Sequence, residues 1–183
     1  MVYIHLAEGF EEIEALTPCD LLRRVGVDVK TVSVTGEKVV TGAHSIRVEA
    51  DLLFEEADYD SCSMIVLPGG LPGAFNLQDH AGLEAQIRKF AEEDRPLAAI
   101  CAAPLVFGSH GVLNGRMATI YPGMEANLTG GEAVDKPVVC DGNLITSQGP
   151  GTAMEFALTI VNFFKGEEVT LDLRKDLLLE RRV

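Results

Sequence analysis

The sequence predicts a doubly wound α/β domain with a mostly parallel central sheet. Three observations carry this: apolar runs of strand length recur along the chain, segments with helical spacing lie between them, and Gly- or Pro-containing turns separate the two. Strands alternating with helices in this way form βαβ units whose sheet is covered on both faces. The chain has 183 residues, of which 47% are hydrophobic and 23% charged. That ordinary globular balance fits one domain, 1–183, and excludes a disordered chain.

Val2–Ala7 has the length and β-branched content of a strand buried on both faces. From about Glu11 the pattern becomes helical, with Ile13, Leu16, Leu21, Leu22 and Val25 inward, and it ends at Gly26. Pro18 within it removes one backbone donor and predicts a kink. Val27–Val34 reads as the next strand. Val39-Val40 and Ile46-Arg47-Val48, separated by a turn at Gly42, read as a small antiparallel excursion. Met64–Leu67 is a strand ending in Pro68-Gly69-Gly70, and Leu83 to Glu93 carries a helical stripe. Leu97–Ile100 is a further strand, with a helix from Ala102 to about Gly108. Asn114-Gly115 within Val112–Ile120, and Asp141-Gly142-Asn143 between Val138–Cys140 and Leu144–Thr146, are hairpin signals. Thr152-Ala153-Met154-Glu155 has the form of a capping box opening a helix through Phe164, and Val169 to Leu179 reads as a last helix.

Charge and composition narrow the partners. With 15 Lys+Arg against 28 Asp+Glu the formal charge is −13, which repels a phosphate backbone and an anionic membrane surface. No nucleic acid and no membrane are expected as partners. The N-terminus has no basic region before its short apolar run, so no signal peptide is expected. Cys19, Cys62, Cys101 and Cys140 lie 43, 39 and 39 residues apart, and His5, His44, His80 and His110 are equally scattered. Neither a disulfide framework nor a metal set is indicated, and a cytoplasmic protein with reduced thiols is expected.

Ligands of open α/β sheets bind beyond the carboxyl ends of the strands. Three such loops stand out: Glu8 to Glu14, Leu67-Pro68-Gly69-Gly70, and Ile100-Cys101-Ala102-Ala103-Pro104. A thiol at the last turn faces helix N-terminal amides, which favour the thiolate. The alternative is that Cys101 is one more small buried hydrophobe. Gly69-Gly70 lets backbone amides approach a ligand, as an oxyanion site requires, although taken alone a plain turn after a strand is the better explanation. Glu11 and Glu12 are accounted for by the dipole of the helix they open. Glu14 lies among Ile13, Ala15 and Leu16, where a buried carboxyl stays protonated and can donate to a thiolate.

These segments together resemble the ThiJ/PfpI superfamily, in the branch of the Parkinson-associated protein deglycase. They are Gly9-Phe10-Glu11-Glu12-Ile13-Glu14, Asp20 to Gly26, Val66-Leu67-Pro68-Gly69-Gly70, Ala98 to Pro104, and Thr146 to Thr152, in order from near residue 2 to about 179. The resemblance implies a flavodoxin-like three-layer α/β/α sandwich, a homodimer, and a nucleophile elbow at Cys101 with Glu14 as its protonated partner. It further implies that Gly70 and Ala102 supply oxyanion amides, with Gly69, His44, Tyr121 and Pro150 at the pocket. Gly166 to Val183 resembles a C-terminal helix covering one side of the site.

Two departures stand out. Tyr121 occupies the place of a histidine before Pro122, and a tyrosine is a poor base near neutral pH. Proton transfer then falls to Glu14. Ala102 replaces the histidine that follows the cysteine in the protease-like branch, which argues against peptidase activity. Class I glutamine amidotransferases need His-x-Glu after the cysteine, and His110 is followed by Gly111-Val112.

The activity implied by the resemblance is a cofactor-free glyoxalase or deglycase reaction on methylglyoxal-like dicarbonyls or their adducts, through the Cys101 thiolate. The alternative is an oxidative-stress sensor or chaperone in which Cys101 becomes a sulfinate. A dimeric scaffold without chemistry is the third reading. The family label of thiazole monophosphate biosynthesis finds no support in these residues.

Overall fold

Strand β1 (Val2–Leu6) lies inside a seven-stranded sheet, and its side chains alternate between two cores. Val2, Ile4 and Leu6 face one side and Tyr3 the other, as the period-2 geometry of a strand dictates. The computed structural model describes residues 1–179. Around β1 the chain continues through α1 (Glu12–Arg24), β2 (Val29–Ser33), β3 (Val39–Thr41), β4 (Arg47–Glu49), β5 (Leu52–Leu53) and β6 (Met64–Leu67). Helices α2 (Gly73–Gln78) and α3 (Ala81–Glu92) follow, then β7 (Leu97–Ile100) and α4 (Pro104–Ser109). The chain ends through β8 (Met117–Ala118), β9 (Glu132–Ala133), β10 (Val138–Asp141), β11 (Leu144–Ser147) and α5 (Ala153–Asp176).

The sheet order is β10-β11-β7-β6-β1-β2-β5, parallel throughout except for the β10–β11 hairpin. On one face α1 and α5 pack over Ile4, Met64, Val66, Ala98 and Ile100. On the other, α2, α3 and α4 cover Tyr3, Ile65, Leu67 and Ala99. The result is a flavodoxin-like three-layer sandwich. After β1 the chain moves outward to β2, and it later returns to the opposite side of β1 at β6. The carboxyl ends of β1 and β6 therefore flank a reversal of direction, where such sheets open a crevice.

Several expectations need correction. The antiparallel excursion forms as β3–β4, but Asn114-Gly115 makes no hairpin: β8 pairs with β9 in parallel. The Gly115 amide instead bonds the carbonyl of Gly130, so the turn is spent on a longer excursion. Helix α1 continues through Pro18 as one element, and the donor that Pro18 lacks would have served the carbonyl of Glu14. Thr152 does not cap α5; its hydroxyl bonds Ser147 Oγ and the Gly149 carbonyl.

The last two expected helices are merged in α5 and break at Gly166, which takes φ 80° and ψ 176°. Beyond the break, Val169, Asp172, Leu173 and Asp176 lie against Arg24 and Val25, at the C-terminal end of α1. Residues 180–183 of the expected domain and of its C-terminal helix lie outside the described residues. Among the described residues no helix is long and apolar enough to cross a membrane.

Candidate active site

Cys101 follows β7 directly and takes φ 64°, a left-handed conformation that costs a side-chain-bearing residue about 1–2 kcal/mol. Two hydrogen bonds hold it there. The Cys101 amide donates to the Ser147 carbonyl at 2.9 Å, and the Tyr121 amide donates to the Cys101 carbonyl at 2.9 Å. This is the sharp strand-to-helix turn of a nucleophile elbow. Of the four cysteines, all free, Cys19 and Cys62 are buried, Cys140 is exposed and Cys101 is half-buried.

Glu14 enters from the first turn of α1 and is fully buried. The Gly69 amide donates to its Oε2 at 2.8 Å, while no backbone amide or hydroxyl reaches Oε1. The carboxyl and the Cys101 thiol are close enough that each shifts the other's titration. Burial, opposed by the thiol and the Gly69 amide, pushes the Glu14 carboxyl up to about 7. The backbone amides of Gly70 and Ala102 lie near enough to the Cys101 sulfur to favour its charged form.

Gly69 and Gly70 make this closeness feasible. A Cβ at Gly69 would fall 2.7 Å from both Cys101 Cβ and Glu14 Oε2. At Gly70, with φ 87°, it would fall 2.4 Å from the Glu11 amide nitrogen. Only glycine fits at either place.

The expected thiolate needs correction. Desolvation and the neighbouring Glu14 carboxylate push the Cys101 thiol up to about 12, against the pull of the Ala102 and Gly70 amides. Burial of the sulfur with an acid beside it outweighs the helix-amide effect that the sequence suggests. Glu14 and Cys101 behave as one pair, and near neutrality that pair holds about one proton fewer than two.

The sulfur opens into a cavity of about 260 Å³ lined by Gly70, Leu71, Cys101, Ala102, Tyr121 and Met124. Tyr121 lines this cavity. Leu71 and Met124 were not singled out by the sequence; they reach the cavity from loops without periodic pattern. Gly69 backs the Cys101–Glu14 contact rather than lining the cavity. His44 and Pro150 are exposed and do not line it. Pro150 opens a 3-10 turn ahead of α5, and among the described residues none of α5 or of the segment after it lines the cavity. The break at Gly166 directs that segment to the far end of α1.

His44 belongs instead to a neighbouring cluster. Its Nδ1 lies 3.0 Å from Glu12 Oε2 and 3.4 Å from Glu11 Oε2, and its amide donates to Glu12 Oε1 at 2.9 Å. The hydrogen bond to Glu12 and the charge of Glu11 raise the His44 imidazole above its ordinary value. Burial would raise Glu12, but its bonds from His44 hold it below the usual carboxylate range. Among the described residues these three side chains form one group whose ligand atoms could hold a metal ion. An imidazolium between two carboxylates accounts for the same arrangement.

Comparison with known proteins agrees with this geometry. A model of the DJ-1/PfpI family matches residues 1–163. The chain is 41% identical over 179 residues to the protein named DJ-1 homolog B of Arabidopsis thaliana, covering 97% of this chain and 41% of that protein. It spans less than half the length of this and a second plant relative. It is 36% identical over 167 residues to a protein named deglycase from Pyrococcus abyssi, covering 90% of this chain and 99% of that one. Among solved structures, oxidised Toxoplasma gondii DJ-1 superposes with a TM-score of 0.92 at 32% identity, over 97% of each chain. The elbow, the facing acid, the sheet order and these matches converge: the chain belongs to the DJ-1/PfpI family.

Proposed function

We propose that this protein is a cysteine-dependent enzyme of glyoxalase or deglycase type, acting without a cofactor on α-oxoaldehydes such as methylglyoxal or on their adducts. The observation that carries it is the buried Glu14 carboxyl, held by the Gly69 amide beside the Cys101 thiol, with the Gly70 and Ala102 amides near the sulfur. An ionised Glu14 takes the thiol proton as sulfur adds to the aldehyde carbon, and the two amides receive the developing oxyanion. Returning that proton gives a hemithioacetal. Glu14 then moves the aldehyde hydrogen, as a proton, to the adjacent carbonyl carbon, leaving a thioester of a 2-hydroxy acid. Water cleaves the thioester, releasing the acid and restoring the thiol. No external oxidant or reductant enters.

The test is lactate formation from methylglyoxal by the purified chain. Cys101→Ser is expected to abolish turnover and Glu14→Gln to lower it at least 100-fold. A Cys101→Ser protein that works at the parental rate overturns the proposal.

A second reading rests on the same two amides, which also suit sulfinate oxygens: the Cys101 thiol consumes two equivalents of peroxide and releases two of water. The name of the Toxoplasma relative records an oxidised form of that protein. A selective gain of two oxygens at Cys101 after mild peroxide, read by peptide mass, supports this sensor role; equal oxidation of Cys140 counts against it.

We further propose a homodimer, supported by Ile13 and Leu16, which remain 53% and 39% exposed on α1. Light scattering of the parent at twice the monomer mass, and of Ile13→Glu at the monomer mass, is the expected result.

A further inference from the structure

We propose that the cavity over Cys101 is an apolar subsite that selects α-oxoaldehydes carrying an aromatic or bulky apolar substituent and rejects those carrying an anion. This rests on the reading of Cys101 as the nucleophile and names the class of substrate it takes.

The geometry assigns the two ends of the substrate. A carbonyl attacked by the sulfur must lie with its oxygen at the Gly70 and Ala102 amides. Its substituent can then extend into the cavity of about 260 Å³ that the sulfur borders. What it meets there is Leu71, 52% exposed, the ring of Tyr121, 48% exposed, and the half-buried thioether of Met124. Among the described residues no lining residue bears a charged side chain, so an anionic substituent would lose water without gaining a cation there. The Glu14 carboxyl behind the sulfur and the net charge of −13 oppose an anion further.

The wall is also fixed in place. The Tyr121 amide is tied to the Cys101 carbonyl, and the Met124 amide bonds the Tyr121 carbonyl at 3.0 Å. Tyr121 and Met124 therefore hold a set distance from the nucleophile. An aryl group lying there gains area burial together with ring–ring and sulfur–ring contact.

The test needs no turnover. Cys101 of the full chain is labelled with N-benzyl-iodoacetamide, iodoacetamide or iodoacetate, and each rate is divided by that of N-acetylcysteine at the same pH. The benzyl reagent is expected to exceed iodoacetamide by about tenfold after this correction, and iodoacetate to fall below it. Tyr121→Ser and Met124→Ala should each narrow the benzyl advantage several-fold, while Tyr121→Phe keeps it. Equal corrected rates in the parent, or an advantage untouched in both Tyr121→Ser and Met124→Ala, overturn the subsite. Failure to turn over any dicarbonyl sinks the proposed reaction alone. Turnover of phenylglyoxal and methylglyoxal in a ratio that Tyr121→Ser leaves unchanged sinks the subsite alone.

Discussion

Glu14 and Cys101 meet across Gly69, which donates its amide to the acid and has no side chain to hold the two apart. One residue from α1 and one from the end of β7 are thereby brought side by side, each shifting the other's titration. Because the acid titrates near 7, the pair changes protonation in the range where a cell operates.

Because burial and the Glu14 carboxylate hold the Cys101 thiol up at about 12, alkylation of Cys101 should be slow at neutral pH and rise toward alkaline pH. Glu14→Gln removes the charge that raises the thiol, and the midpoint should move to lower pH. Iodoacetamide rates as a function of pH measure this; an unmoved midpoint in Glu14→Gln separates the acid from the thiol's chemistry.

The same carboxyl has a cost to folding with a definite sign. Its folded value lies above its ordinary value of 4.5, so the native state holds the proton longer than the unfolded chain. Its contribution is intact below pH 4.5 and declines as pH rises through about 7. Glu14→Gln should accordingly be more stable than the parent at pH 8, by at most about 3 kcal/mol, and show little gain at pH 4.5. Thermal melts at the two pH values read the difference.

Gly69→Ala places a methyl group 2.7 Å from Cys101 Cβ and 3.0 Å from the Ala102 amide nitrogen. The expected outcome is a loss of about 1–3 kcal/mol from overpacking and at least a tenfold slower Cys101 alkylation at pH 8. Urea denaturation and labelling kinetics check the two effects separately.

His5 supplies a second pH dependence, far from the thiol. It is fully buried, its Nε2 lies 2.7 Å from the Tyr59 hydroxyl, and burial pushes its imidazole down to about 3. The unfolded chain then binds a proton that the native state refuses. Stability from this group is intact above pH 6.5 and declines as pH falls toward 3. The double variant His5→Phe with Tyr59→Phe removes both polar partners together and should flatten the melting temperature between pH 6.5 and 4. A slope equal to the parent's would assign the acid sensitivity elsewhere.

Much of this arrangement is legible in the chain. Val2–Leu6, Met64–Leu67 and Leu97–Ile100 are buried on both faces, so their apolar runs announce central strands. Cys101, Glu14, Gly70 and Ala102 stand in motifs whose local form dictates where they lie. What the sequence does not express is contact between loops. Leu71 and Met124 come to one cavity from separate loops, and His44 turns to Glu12 through a loop whose path no local pattern encodes. The protonation of the thiol is of the same kind: the elbow suggests a low value, and only its burial beside Glu14 reverses that.

The conformation of Cys101 has one consequence more. Its backbone is gripped from β11 through Ser147 and from the turn that begins at Tyr121, segments 46 and 20 residues away in the chain. A domain whose strands part loses that grip and leaves behind an unremarkable cysteine. The speed at which this single sulfur accepts a label is thus a gauge of how much of the population is correctly assembled.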